Sequence, residues 1–336
     1  MSSKNLKIAL FLGGTSPERE VSKSSGKAIY KAIISLGYSC KLIDPGYGKN
    51  QPTTEEDFFT QNDFTEIGNE NIVETVNSDL LNETDLVFNA LHGKWGEDGA
   101  VQTLLELRKI PYSGSGIFSS MVAMDKTISK TLFKLNGVNT ATWLSIDNSY
   151  KYNDLLEQVN SKFGFPCVVK PNDQGSTVGL TIARDESELQ NAVEQAFNFS
   201  TLVLIEEFIP GKEMTVAILE NEALPVLEIV PKSGFYDYTS KYTSGMSEYF
   251  VPADIPNTVF DQLQQQALTA FNCLRCEVYG RVDFRLNEEN IPFCLEVNTL
   301  PGMTETSLVP KMAAADGISF EELINRIIKA SLDGKK

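Results

Sequence analysis

Short apolar runs along this chain alternate with polar turns and with segments whose apolar positions recur every three or four residues. Ile8-Ala9-Leu10-Phe11-Leu12 is an unbroken apolar run. Gly13-Gly14-Thr15-Ser16-Pro17 follows, and then a helical pattern through Ile29, Ala32, Ile33 and Leu36. Run length and spacing assign a buried strand to the first and a helix to the second. Gly37 ends the helix, and residues 39–43 read as the next strand. Strand, glycine turn, helix, strand predicts a βαβ unit on a parallel sheet. Residues 85–91 give another strand, closed by the polar turn His92-Gly93-Lys94-Trp95-Gly96-Glu97-Asp98-Gly99. Loops at the carboxyl ends of such strands are where α/β sheets place ligands. Between residues 45 and 80 the pattern thins out, which predicts a solvated insertion with no chemistry of its own.

From about residue 115 the texture changes. A helical stretch surrounds Met124-Asp125-Lys126, and Phe165-Pro166-Cys167-Val168-Val169-Lys170 is a strand. A polar glycine loop leads from it to Val178-Gly179-Leu180-Thr181-Ile182, predicting a hairpin with a long connection. Residues 201–205 form a further strand, leaving through Glu206-Glu207-Phe208-Ile209-Pro210-Gly211. A Tyr/Ser/Gly-rich loop is expected over 235–249. Strands near 280–286 and 292–297 precede a terminal helix carrying Phe320, Leu323, Ile324, Ile327 and Ile328.

Composition narrows the classes. The 336 residues allow two or three domains, and 42% hydrophobic with 22% charged residues describes an ordinary globular protein. Lys and Arg total 29 against 45 Asp and Glu, a net charge of −16. That disfavours nucleic acid, whose binding rests on phosphate neutralisation. No Lys or Arg occurs between Lys49 and Lys94, so much of the acidity is local. No apolar run is long enough to span a membrane, and the polar start into a short strand predicts no signal segment. Five cysteines and one histidine make neither a disulfide framework nor a zinc site, although Cys273 and Cys276 form a CxxC. A cytoplasmic protein is expected.

The candidate chemistry lies in three places. On the last two strands, alternation puts Arg281 with Asp283 on one face and Glu296 with Asn298 on another. If these strands pair as a hairpin, two carboxylates, an amide and a guanidinium share a surface. Such oxygen ligands suit Mg²⁺ bound together with substrate phosphates. Lys170-Pro171-Asn172-Asp173-Gln174-Gly175-Ser176-Thr177-Val178-Gly179 offers a cation and a glycine loop to a polyphosphate. The apolar strand leaving through Glu206 to Ile209 offers backbone edges to an adenine. A Walker A motif, a complete dinucleotide fingerprint and a Gly-x-Ser-x-Gly elbow are all missing.

These residues resemble the ATP-grasp D-alanine–D-alanine ligases. The resemblance is carried by Leu12-Gly13-Gly14-Thr15-Ser16-Pro17-Glu18-Arg19-Glu20-Val21-Ser22, by Ala90-Leu91-His92-Gly93 with Gly96-Glu97-Asp98-Gly99, and by Met124-Asp125-Lys126. It continues through Val169-Lys170-Pro171, Gly175 to Gly179, Lys241-Tyr242, Arg281-Val282-Asp283 and Glu296-Val297-Asn298-Thr299-Leu300-Pro301-Gly302-Met303-Thr304. The fold implied is α/β, a three-domain ATP-grasp with an N-terminal Rossmann-like parallel-sheet domain. Its boundaries are expected at 1–114, 115–206 and 207–336.

The resemblance implies a role for each residue. Lys126 and Lys170 would hold ATP phosphates, and Lys241 would reach the γ-phosphate from the mobile loop. Glu206, with the backbone of Glu207, Phe208 and Ile209, would read adenine, and Glu213 the ribose. Asp283, Glu296 and Asn298 would hold two Mg²⁺ or Mn²⁺ ions. Glu18 would pair with the first D-alanine's ammonium and form a latch with Ser176 and Tyr242. Arg281 and the Gly302 N–H would face the oxyanion, and Ser307 and Leu308 would seat the second carboxylate. His92 would stand on the substrate side. The partners implied are D-alanine and a second copy of the chain, with no nucleic acid or membrane. A non-catalytic nucleotide-binding relative and a nicotinamide-dependent oxidoreductase are the competing classes.

Overall fold

The computed structural model describes residues 6–232 and 246–334. Lys241 and Tyr242 fall outside that range. Strand β1 (Lys7–Phe11) lies between β2 (Ser39–Ile43) and β3 (Leu86–Asn89), and all three run parallel in the order β2-β1-β3. Helix α1 (Arg19–Ser35) connects the first two strands. The unbroken apolar run follows from burial on both faces, as a parallel sheet requires. Ile8 and Leu10 pack with Ile29 and Ile33 of α1. Ala9 and Phe11 point the other way, onto Ile72 and Val76.

Those last two residues correct one expectation. Residues 45–80 are not a solvated insertion, because they contain helix α2 (Asn69–Asn77), which covers the second face of the parallel sheet. Ile72 and Val76 give only one i, i+4 pair on nine residues, too little for periodicity to register. The acidic surface is anchored as well: Asp63 accepts from Arg19 Nε at 2.8 Å and lies 3.4 Å from Lys23 Nζ. Ile72→Ala is therefore expected to cost about 2–4 kcal/mol in denaturant unfolding, as for other buried Ile truncations. A change below ~0.5 kcal/mol would restore the insertion view.

Helices α3 (Ala100–Leu107), α4 (Ile117–Met124) and α5 (Lys126–Leu135) follow. The single helical stretch expected around Met124 is two helices. Asp125 leaves helical geometry and caps α5, its carboxylate accepting from Ile128 N at 2.9 Å. Strands β4 (Trp143–Asp147), β5 (Cys167–Pro171), β6 (Thr181–Ala183) and β7 (Leu202–Glu207) form an antiparallel sheet in the order β4-β7-β5-β6. Helices α6 (Tyr152–Lys162) and α7 (Glu186–Phe197) cover it through Leu155, Val159, Leu189 and Val193.

The remaining strands are β8 (Lys212–Leu219), β9 (Glu222–Ala223), β10 (Leu227–Pro231), β11 (Ser247–Phe250), β12 (Tyr279–Leu286) and β13 (Pro292–Asn298). They form a second antiparallel sheet, β11-β10-β8-β12-β13, with β9 paired to β8. The end of the expected Tyr/Ser/Gly loop is thus a strand, since Ser247 to Phe250 pair with Pro231 to Glu228. Helix α8 (Asn257–Cys273), together with α4 and α5, packs on this sheet around Phe271, Val282 and Phe284. Helices α9 (Leu308–Ala315) and α10 (Phe320–Asp333) join its opposite face to α1 and β1. No helix among the described residues is long and apolar enough to cross a membrane.

Candidate active site

Register decides the most polar surface. Strands β12 and β13 pair antiparallel, with Asp283 opposite Glu296 and Arg281 opposite Asn298. Alternation sends Val282 and Phe284 into the core, and a register shift between Asp283 and Phe284 lets Cys294 and Val297, three positions apart on β13, both follow, so the four polar groups face away from it together. Arg281 grips Asp283 with both nitrogens, Nε at 2.8 Å and Nη2 at 2.7 Å. Asn298 Nδ2 donates to the same carboxylate at 2.9 Å, and Thr215 Oγ1 does so at 2.7 Å. Glu296 lies 3.3 Å from Lys126 Nζ. Among the described residues no three His, Cys, Asp or Glu converge as a metal cluster. Two carboxylates and an amide oxygen nonetheless suit Mg²⁺ that draws its remaining ligands from phosphates and water. Each of the two carboxylates already holds a cation.

Two cavities meet at this hairpin. The larger, of about 680 Å³, is lined by Glu18, His92, Lys126, Ser176, Arg281, Glu296, Asn298, Gly302, Ser307 and Leu308. The smaller, of about 110 Å³, is lined by Lys126, Lys170, Ser176, Glu206, Glu207, Phe208, Ile209, Glu213, Asp283 and Glu296. Every expected site residue that the structure describes therefore lines one cavity or both. Lys126, Ser176 and Glu296 belong to both walls.

The smaller cavity is framed by the two antiparallel sheets. Lys170, next to last on β5, donates to Glu206 Oε1 at 2.5 Å. The other oxygen of Glu206 lies 2.8 Å from Lys130 Nζ. Burial works to raise this carboxyl, but the two ammonium groups outweigh it and pull it down to about 2. The Glu206 side chain is thus committed to two lysines, and the chain beyond it presents its backbone edge to the cavity. That backbone is held by Arg285, which donates to Ile209 O at 3.1 Å, Gly211 O at 2.6 Å and Glu213 Oε2 at 2.9 Å. Gly211 has φ 126°, and a Cβ there would sit 2.0 Å from Leu286 O, so only glycine fits.

On the other side, Glu18 precedes α1 and its carboxylate accepts from Ser176 Oγ. The 92–99 loop approaches closely because Gly93 has φ 68°, and a Cβ on it would stand 2.7 Å from Glu18 Oε2. His92 is buried, which lowers its pKa and keeps the ring neutral at pH 7. Its Nε2 is 3.2 Å from Ser25 Oγ, which also accepts from Met303 N at 3.2 Å. Ser307 precedes α9 without capping it; its hydroxyl accepts from Thr304 N at 3.0 Å instead.

Three residues at this site carry no role in the sequence reading. Glu97 lines the larger cavity and is pushed up to about 8 by burial and then by the charge of Glu18. It stands inside the quoted Gly96-Glu97-Asp98-Gly99 match, which was its signal. Arg285 shares the face of Arg281 and Asp283, and alternation alone could have found it. Lys130 gives no such sign, since a lysine on a helix usually faces water.

Two antiparallel sheets gripping a lysine- and carboxylate-lined cavity, beside a parallel-sheet unit that closes a second cavity, define an ATP-grasp ligase. Family models described as D-ala D-ala ligase N-terminus and C-terminus match residues 7–115 and 132–329. The chain belongs to the D-alanine–D-alanine ligase family. It is 44% identical to the D-alanine–D-alanine ligase of Halalkalibacterium halodurans, over 97% of this chain and 99% of that protein. With that of Syntrophotalea carbinolica it shares 43% identity, over 96% and 95% of the two chains. The Bacillus anthracis D-alanine–D-alanine ligase solved with ATP superposes with a TM-score of 0.79 at 32% identity, covering 98% of both chains. The oxidoreductase reading of the βαβ unit is thereby excluded.

Proposed function

We propose that this chain joins two D-alanine molecules to D-alanyl-D-alanine at the expense of ATP, using the residues that line the two cavities. As a member of its family it serves peptidoglycan precursor synthesis. One observation carries the residue assignment: Lys126, Ser176 and Glu296 form a wall common to a cavity lined by Lys126 and Lys170 and a larger cavity with room for two small amino acids. Phosphoryl transfer needs its donor and acceptor in line at such a boundary.

A carboxylate is a poor acylating agent at neutral pH. One oxygen of the first D-alanine attacks the γ-phosphorus, ADP leaves, and a D-alanyl phosphate results. Lys126 and Lys170 bind the phosphates and offset charge developing on the transferred group. Glu18 holds the first ammonium, and its contact with Ser176 ties the glycine loop over the reacting carboxylate. The neutral amine of the second D-alanine then attacks the acyl carbon, phosphate leaves, and the amine's extra proton passes to solvent or a nearby base. Arg281 and the Gly302 N–H stabilise the oxyanion, while the first turn of α9, with Ser307 and Leu308, receives the second carboxylate. His92, neutral and wedged between Ser25 and the 299–304 segment, positions that side of the cavity. Glu213 takes the ribose hydroxyls. Asp283, Glu296 and Asn298 would hold two Mg²⁺ or Mn²⁺, which neutralise phosphate charge when bound. Lys241 and Tyr242 complete the site in the same proposal, on family resemblance. So do the division at 1–114, 115–206 and 207–336, a homodimer, and a cytoplasmic location.

Coupled ADP release tests this reading. D-alanine is expected to drive release and L-alanine to give none. An equimolar D-alanine and D-lactate mixture near pH 8 should yield dipeptide in large excess over ester, because a higher pH frees more neutral amine. ADP release independent of D-alanine would overturn the assignment, and equal yields would overturn the substrate preference.

A further inference from the structure

Behind the nucleotide cavity one carboxylate serves two lysines. Lys130 is fully buried on α5 and lines neither cavity. Its Nζ lies 2.8 Å from Glu206 Oε2 and donates to Thr140 Oγ1 at 2.7 Å. The same hydroxyl donates to Cys294 O at 2.7 Å, two residues before Glu296 on β13. The other Glu206 oxygen is taken by Lys170. Packing gives no reason for this arrangement, since an apolar side chain would fill the space without the desolvation cost of an ammonium. Lys170 reaches only Oε1, so Lys130 also gives the buried Oε2 its counter-charge; a neutral donor could have served that oxygen without bringing in a second ammonium. Burial pulls the Lys130 pKa down and the Glu206 carboxylate opposes that; with both lysines protonated, two ammonium groups against one carboxylate leave one net positive charge in a water-poor region, where charge acts strongly.

We propose that Lys130 is a positioning residue for ATP: by occupying half of Glu206 it prevents that carboxylate from neutralising Lys170, which stays available to phosphate. The inference rests on the reading of Lys170 as a phosphate ligand. Without Lys130, Glu206 would pair with Lys170 alone and cancel its charge. Without both Lys130 and Glu206, Lys170 would recover it. A purely structural lysine would show no such recovery.

Equilibrium binding of Mg²⁺ with a non-hydrolysable ATP analogue, compared with adenosine, separates these cases. Lys130→Met is expected to weaken analogue binding roughly tenfold and adenosine binding by less than about twofold, with the KM for D-alanine nearly unchanged. The double variant Lys130→Met with Glu206→Gln should return analogue affinity to within about threefold of the original. Lys130→Arg, which keeps the charge, should stay in the same range. If Lys170→Met weakens binding and Lys130→Met does not, the inference falls and the role of Lys170 stands. If Lys170→Met also has no effect, the phosphate reading beneath it fails. Equal loss of analogue and adenosine with no recovery in the double variant would make Lys130 structural and overturn the proposal. Should Lys130→Met not fold, analogue binding weakened more than about tenfold in the double variant would overturn it.

Discussion

Glu296→Ala is expected to reduce turnover at least about a hundredfold at saturating Mg²⁺, the scale of removing one electrostatic stabiliser from a reaction centre. Glu296 lines both cavities, faces Asp283 across the hairpin register and lies 3.3 Å from Lys126. Its loss would remove ligand charge from the proposed metal site and the partner that steadies Lys126, the proposed phosphate ligand. The fold should survive, because Val297, Cys294 and Phe284 keep the opposite face of the hairpin buried. Turnover measured alongside thermal unfolding checks both parts. A near-original rate would remove Glu296 from the metal site, and a collapsed melting curve would make it structural.

Ser176→Ala is expected to separate ATP consumption from dipeptide formation. The Ser176 hydroxyl reaches Glu18 across 158 positions of sequence, and this contact ties the glycine loop beside Lys170 to the opening motif. ATP should still bind, since Lys126, Lys170 and the backbone at Glu207 and Ile209 do not depend on that hydroxyl. A looser loop admits water, and an acyl phosphate exposed to water is hydrolysed. Phosphate released per dipeptide should rise from one to roughly three or more, because excluding water is the main task of such closures. Measuring both products in one reaction decides it. A one-to-one ratio kept at reduced rate would mean that Ser176 only positions substrate.

Much of the site was legible because strands report their faces locally. Arg281 with Asp283, and Glu296 with Asn298, follow from alternation, and the hairpin register then made Asp283 face Glu296. The βαβ opening was legible for a related reason, since an apolar run between glycine turns has few other uses. Where the periodic signal was weak, as in the nine residues of α2, the same reading mistook a packed helix for solvated surface.

Pairings between distant positions were a different matter. Lys130 and Glu206 are 76 positions apart, and no pattern on α5 marks one lysine as the fully buried one. The grip of Arg281 on Asp283 was within reach of alternation, yet its geometry depends on what else the cavity offers the guanidinium. The raised carboxyl of Glu97 arises from burial and from Glu18, brought close only when Gly93 lets two loops approach. Local sequence determined which faces were polar and which residue types stood on them, because side-chain direction follows backbone period. Tertiary structure decided which charges share a partner, because desolvation and Coulomb energy depend on distances that only the folded chain sets.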